Sequence, residues 1–115
     1  MKRCVLTILF TAAMIKAFAG AAEGPVSFQS SLKGNESDRF EIRFSAGETA
    51  QVTVTGNGKT DLDLYIYDDD GDPVTRDTGR GDRCICRWIP RKDGKFTIKV
   101  VNRGKNYNLY TLQTN

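Results

Sequence analysis

From Arg39 to the end of the chain, apolar and polar residues alternate with a period of two, in short segments separated by glycine and aspartate. Phe40, Ile42 and Phe44 alternate with Glu41 and Arg43, and Ala50, Val52 and Val54 with Gln51, Thr53 and Thr55. Leu62, Leu64 and Ile66 form a third apolar line. Cys84, Cys86 and Trp88 form a fourth, Phe96, Ile98 and Val100 a fifth, and Tyr107 with Leu109 marks the last. Successive side chains of a strand point to opposite faces, so this rhythm predicts strands with one face in a core and one in water. Ser45-Ala-Gly-Glu48, Gly56-Asn-Gly-Lys59, Asp69-Asp-Gly-Asp-Pro73, Arg91-Lys-Asp-Gly94 and Asn102-Arg-Gly-Lys-Asn106 stand between them. Their glycines and aspartates suit tight turns. Weaker strands near Val26 to Leu32 and Pro73 to Thr78 bring the total to seven or eight, spaced by roughly ten residues. The spacing predicts an all-β fold, an antiparallel, jelly-roll-like β-sandwich whose two sheets pack apolar face to apolar face.

The N-terminal segment breaks this rhythm. A basic start, Met1-Lys-Arg3, leads into an apolar run that ends at Lys16 and is followed by Ala17-Phe-Ala-Gly-Ala-Ala22. This is the shape of a secretory signal peptide, and the run is shorter than the roughly 20 residues that a membrane span needs. Residues 1–22 are therefore expected to be removed, with cleavage after Ala19, Ala21 or Ala22, leaving a single domain over 23–115 that is secreted or periplasmic and has no membrane span. Removal also changes the meaning of the net charge of +3, because Lys2, Arg3 and Lys16 leave and 14 basic residues then face 14 acidic ones. A neutral chain gives no reason to expect nucleic acid as a partner. The charges are segregated nonetheless, with acids from Asp61 to Asp72 and bases from Arg83 to Lys105. If the two stretches fall on different sheets, a dipolar surface results.

Histidine is absent from the sequence. Without it there is no Ser-His-Asp or Cys-His arrangement and little prospect of a catalytic zinc, and no carboxylate pair or Ser-Lys arrangement has supporting local context. The expectation is a protein that is not an enzyme and requires no cofactor. Six aspartates fall between Thr60 and Pro73, however. Asp61 and Asp63 share a strand face at about 6.6 Å by strand rise, with Tyr65 and Tyr67 continuing that face. Asp69-Asp-Gly-Asp72 suits a hairpin turn, whereas EF-hand spacing would put Ile66, which has no ligand oxygen, at the first ligand position. Two readings stand for the stretch: a solubilising strand and turn, or carboxylates whose mutual repulsion recruits a cation. Cys84 and Cys86 also share a face. They read as two buried thiols, with a strained redox pair or an intermolecular bridge as the other readings. Arg80-Gly81-Asp82 reads as a turn. Tyr65, Tyr67 and Tyr110 are candidate ligand contacts on outer sheet faces.

The segments "SLKGNESDRFEIRFSAGETAQVTVTG", "TDLDLYIYDDDG" and "RKDGKFTIKVVNRGKNYNLYTL" together resemble the bacterial pre-peptidase C-terminal domain, a secreted β-sandwich often appended to proteases. The resemblance runs from about Ser31 to Leu112, and its most specific elements are Asp38-Arg-Phe40, Asp61-Leu-Asp-Leu-Tyr65, Gly94-Lys-Phe-Thr-Ile-Lys-Val100 and Tyr107-Asn-Leu109. It implies a non-catalytic module that assists the secretion, folding or substrate attachment of an enzyme; with no protease preceding it here, the module is expected to act on its own or to find its partner in trans. Collagen-binding relatives carry calcium near the segment corresponding to Gly34-Asn-Glu-Ser-Asp38. That resemblance implies Glu36 and Asp38 as Ca²⁺ ligands, with Ser31 and Asn35 adding oxygens toward the roughly six to eight that the ion takes. The relatives' collagen-contacting tyrosines are replaced here by Val101 and Arg103, so collagen binding is not implied. Two functions follow: a module that binds an extracellular polymer or a secreted protein, or a self-associating structural protein of the envelope.

Overall fold

The computed structural model describes residues 21–115, so the expected signal segment lies almost wholly outside the described residues. Eight strands follow in chain order: β1 (Ser27–Leu32), β2 (Ser37–Phe44), β3 (Ala50–Thr55), β4 (Leu62–Tyr67), β5 (Pro73–Asp77), β6 (Arg83–Trp88), β7 (Gly94–Asn102) and β8 (Asn108–Thr114). One sheet has the order β1-β8-β3-β6 and the other β2-β7-β4-β5, and every pairing is antiparallel. Apart from the β4–β5 hairpin, each connection crosses from one sheet to the other. This is the double-sheet arrangement of a jelly roll. No helix long and apolar enough to cross a membrane occurs among the described residues.

The core is made by the lines that the alternation marks. Phe40, Ile42 and Phe44 of β2, Val52 and Val54 of β3, Leu62, Leu64 and Ile66 of β4 and Ile98 and Val100 of β7 are all buried. Each such side chain contributes about 1.5–3 kcal/mol by leaving water. The last strand departs from the expectation. Tyr107 and Leu109 are exposed, and Tyr110 and Leu112 face inward instead. The cause is register: Leu112 lies directly opposite Val54 of β3, and directly opposed residues share a face of the sheet. Tyr110, expected on an outer surface, is consequently only 1% exposed and belongs to the core.

The condition for a dipolar surface is met only in part, since Arg83 and Arg87 lie on β6 of the opposite sheet from β4 while the bases of β7 do not. β4 and β7 are neighbours in one sheet, so there acids and bases meet. Lys99, opposite Tyr65 in register, holds its ammonium 5.9 Å from the centre of that ring. The outer edges of the sheets are managed by side chains. Asp77 on edge strand β5 accepts a hydrogen bond from the Ile85 amide of edge strand β6 at 2.9 Å, so the edge of one sheet caps that of the other.

The fold begins earlier than residue 23. Ala21 is buried, bridges Phe44, and donates its amide to the Asn115 carbonyl, while the Ala22 amide donates to the Arg43 carbonyl. Of the three cleavage points read from the sequence, the one after Ala19 leaves these contacts intact. If the expected signal segment is removed, mass spectrometry of the mature protein is expected to find Gly20 as its first residue; a start at Glu23 would contradict this.

Candidate functional site

Successive strands run in opposite directions, so the turns gather at two ends of the sandwich. The turns after β1, β3, β5 and β7 form one end. Those after β2, β4 and β6 form the other, where Ala21 and Asn115 also meet.

Most of the expected calcium ligands lie at or near the first end, but in different environments. Asp38 follows the inward phase of Phe40. Its Oδ2 accepts hydrogen bonds from the Tyr110 hydroxyl at 2.8 Å and the Ser30 hydroxyl at 3.2 Å, a polar link across the two sheets. Glu36 is exposed and its Oε1 accepts the Lys33 amide, closing the β1–β2 turn in which Asn35 takes a φ of 63°. Ser31 is half-buried on β1. Asp63 lies on the outward phase of β4, yet only 3% of it is exposed, because Arg103 lies over it. The Arg103 Nε donates to Asp63 Oδ2 at 3.0 Å, and the Arg103 amide donates to the Asp61 carbonyl. The Oδ1 atoms of Asp61 and Asp63 are shut off from solvent with no donor among the described residues. Asp38 and Asp63 thus point to opposite faces of one sheet. The guanidinium already supplies the positive charge beside Asp63. Millimolar calcium is accordingly expected to leave the thermal midpoint where a chelator leaves it. A rise of several degrees would assign a cation to the protein.

The same end is pinned by two buried asparagines. Asn102 donates Nδ2 hydrogen bonds to the carbonyls of Leu32 and Asn106, and its Oδ1 accepts the Gly104 amide. Asn108 donates to Thr60 Oγ1 and Asp82 Oδ2 and accepts the Asn57 amide. Asp82 also accepts the Gly58 amide, which places the Arg80-Gly81-Asp82 stretch in a structural turn. A Cβ on Gly34 would collide with the Lys105 carbonyl, so the β1–β2 and β7–β8 turns approach one another closely only because that residue is glycine.

Tyr65 and Tyr67 keep the expected outer face, half-buried and stacked with ring centres 6.5 Å apart. Cys84 and Cys86 are free and buried, and the Cys84 thiol donates to the Leu62 carbonyl at 3.1 Å. Burial, reinforced by the nearby Asp77 carboxylate, raises both thiols from 9.0 to about 12. The unfolded chain sheds these protons first as pH rises, so the native state holds more protons above pH 9 and loses stability toward pH 12. Each thiol steepens that loss by up to about 1.4 kcal/mol per pH unit. Alkylation at pH 8 is expected to wait for unfolding, and fast labelling of the native protein would contradict the burial.

The second end carries a groove of about 510 Å³ between the β4–β5 and β6–β7 turns. Its floor is apolar and built from Val74, Trp88, Ile89 and Phe96. Ile89 is 62% exposed, and Trp88 packs against Phe44 and Phe96 with ring centres at 5.0 and 5.4 Å. Asp68, Asp69 and Asp70 line one wall, and Arg91, Lys92 and Lys95, with Asp93 among them, line the other. Both walls are held by hydrogen bonds. Asp68 Oδ1 accepts the amides of Asp70 and Asp72, and Gly71 closes the same turn with a φ of 86°. Across the groove the Ala46 amide donates to Asp93 Oδ1 and the Gly47 amide to the Pro90 carbonyl. The carboxylates of Asp68, Asp70 and Asp72 lie within 4.8 Å of one another, a geometry the hairpin turn itself produces. None of the groove residues was singled out from the alternation as a ligand contact. The available signal was Ile89, an apolar residue directly after Trp88 that breaks the two-residue rhythm.

No family model matches the chain, and none of the curated proteins matches it in sequence. Solved structures do match the fold. One is the Aeromonas hydrophila PliG, a periplasmic inhibitor of g-type lysozyme, with 17% identity, 96% of each chain covered and a TM-score of 0.61. Another is the pre-peptidase C-terminal domain of a collagenase from Bacillus anthracis, with 10% identity, 85% of this chain and 91% of that one covered and a TM-score of 0.62. A third is the Yersinia pseudotuberculosis-derived mitogen, with 10% identity, 79% and 84% covered and a TM-score of 0.58. At such identities the likeness is one of fold. It supports the β-sandwich side of the pre-peptidase resemblance.

Proposed function

We propose that the protein is an exported, non-catalytic binding module that engages a protein or polymer outside the cytoplasm, or assists an exported enzyme in trans. The observation that carries this reading is the groove at the second end, where apolar surface stays in water between walls fixed by main-chain hydrogen bonds. Concave, largely preformed sites with an apolar lining and a few polar groups are where ligands bind. Two of the fold neighbours are consistent with the same role, one a periplasmic inhibitor of g-type lysozyme and the other a pre-peptidase C-terminal domain of a collagenase. The periplasmic neighbour agrees with the export signal read from the N-terminal sequence. Self-association by strand pairing would use an edge strand, β1, β2, β5 or β6; at β5 the short length and Pro73 oppose it.

Paired capture from growth medium tests the proposal, with the wild-type protein and its Ile89→Asp variant as baits. The wild type is expected to retain a macromolecule that the variant releases, and mass spectrometry is expected to find it chemically unchanged. Equal retention by both baits, or covalent change in the captured molecule, would contradict the proposal.

A further inference from the structure

We infer that the groove takes an exposed loop of a second protein, one that presents an apolar side chain between a basic and an acidic residue. The inference rests on the binding-module reading and adds the chemical class of the partner. The floor sets the apolar requirement. Ile89 and Val74 are exposed beside Trp88, and covering such surface is favourable in proportion to its area. The walls set the charged requirement. Among the described residues, Asp68, Asp69 and Asp70 make no ion pair with Arg91, Lys92 or Lys95, and Lys95 has only a long contact of 3.8 Å to exposed Glu41. The two walls therefore offer unspent charge of opposite sign on either side of one apolar strip. A segment that is basic on one side and acidic on the other satisfies both walls. A neutral glycan hydrogen-bonds to charged side chains but neutralises neither wall, and a polyanion is drawn to the basic wall while the three carboxylates opposite repel it.

Trp88 and Arg91 line the same groove, and tryptophan and arginine are the residues most enriched where protein interfaces concentrate their energy.

Trp88 is the single tryptophan of the sequence, so its emission reports on the groove without a label. The test is selection of a random peptide library displayed on phage against the purified protein, followed by titration of synthetic, tryptophan-free versions of the winners. Chitin- and cellulose-derived oligosaccharides and heparin are titrated in parallel. The enriched peptides are expected to carry an apolar residue flanked by opposite charges, to shift Trp88 emission, and to weaken with added salt. Their affinity is expected to fall by roughly tenfold or more in Ile89→Asp and in the Asp69→Lys, Asp70→Lys double variant. Both variants change exposed residues, and an unchanged circular-dichroism spectrum certifies the fold. Saturable emission shifts with a glycan but not with peptides would overturn the protein class while sparing the module. Peptides that leave Trp88 emission unmoved and keep their affinity in both variants would overturn the groove. No binding by any probe would remove the inference and the module reading together.

Discussion

Replacing Asn102 by leucine is expected to lower the unfolding free energy by about 3–5 kcal/mol, a large part of the total stability of a domain this size. The side chain is fully buried at the end of β7, and its two donor bonds and one acceptor bond tie three pieces of backbone: Leu32, Asn106 and Gly104. Leucine fills similar space but makes none of these bonds, leaving the buried Leu32 carbonyl and the part-buried Asn106 carbonyl and Gly104 amide without this partner. Urea denaturation followed by circular dichroism measures the loss. A change below about 1 kcal/mol would mean that water replaces the side chain, and that the first end is looser than its hydrogen bonds imply.

The second large effect links the core to the groove. Phe44→Ala is expected to cost about 3–5 kcal/mol, the range for removing a buried aromatic ring. Phe44 is 1% exposed, and its ring meets both Trp88 and Phe96 edge-on. Its loss opens a cavity directly behind the groove floor, so the Trp88 emission maximum is expected to move to longer wavelength even in the folded state. Stability loss with no change in emission would show that Trp88 is positioned by other neighbours, and that the floor is independent of the β2 end.

The contrast between these positions shows which parts of the molecule were legible in the sequence. Side-chain alternation marked the inward lines of β2, β3, β4, β6 and β7 because in each the apolar residues gather on one phase, with Ile85 of β6, Val101 of β7 and the two tyrosines of β4 as the exceptions on the other. It misplaced β8, where Tyr107 and Leu109 compete with Tyr110 and Leu112, and where Asn108 and Thr114 dilute the true inner face with polar groups. Pairing with β3 decides that phase, and pairing is not a local property. Asp38 belongs to the inward phase of Phe40, so its burial was readable. Its partner, Tyr110, was not, because they lie 72 residues apart in the chain. Asp63 was read correctly as outward-facing, but not as covered, since Arg103 reaches it from the turn after a neighbouring strand. The groove was least legible. Its floor and two walls come from separate turns, and only the break in rhythm at Ile89 marked any of it. The acidic stretch that drew attention as a metal candidate supplies, at Asp68 to Asp70, one of the groove walls.

Hydrogen–deuterium exchange, comparing the protein alone with the protein saturated by its tightest selected peptide, tests the central claim most directly. The amides of residues 68–74 and 88–96 are predicted to gain protection, with the first end unchanged. Protection confined to residues 33–36 and 103–106, or to the strand bearing Tyr65 and Tyr67, would place recognition elsewhere and contradict the account.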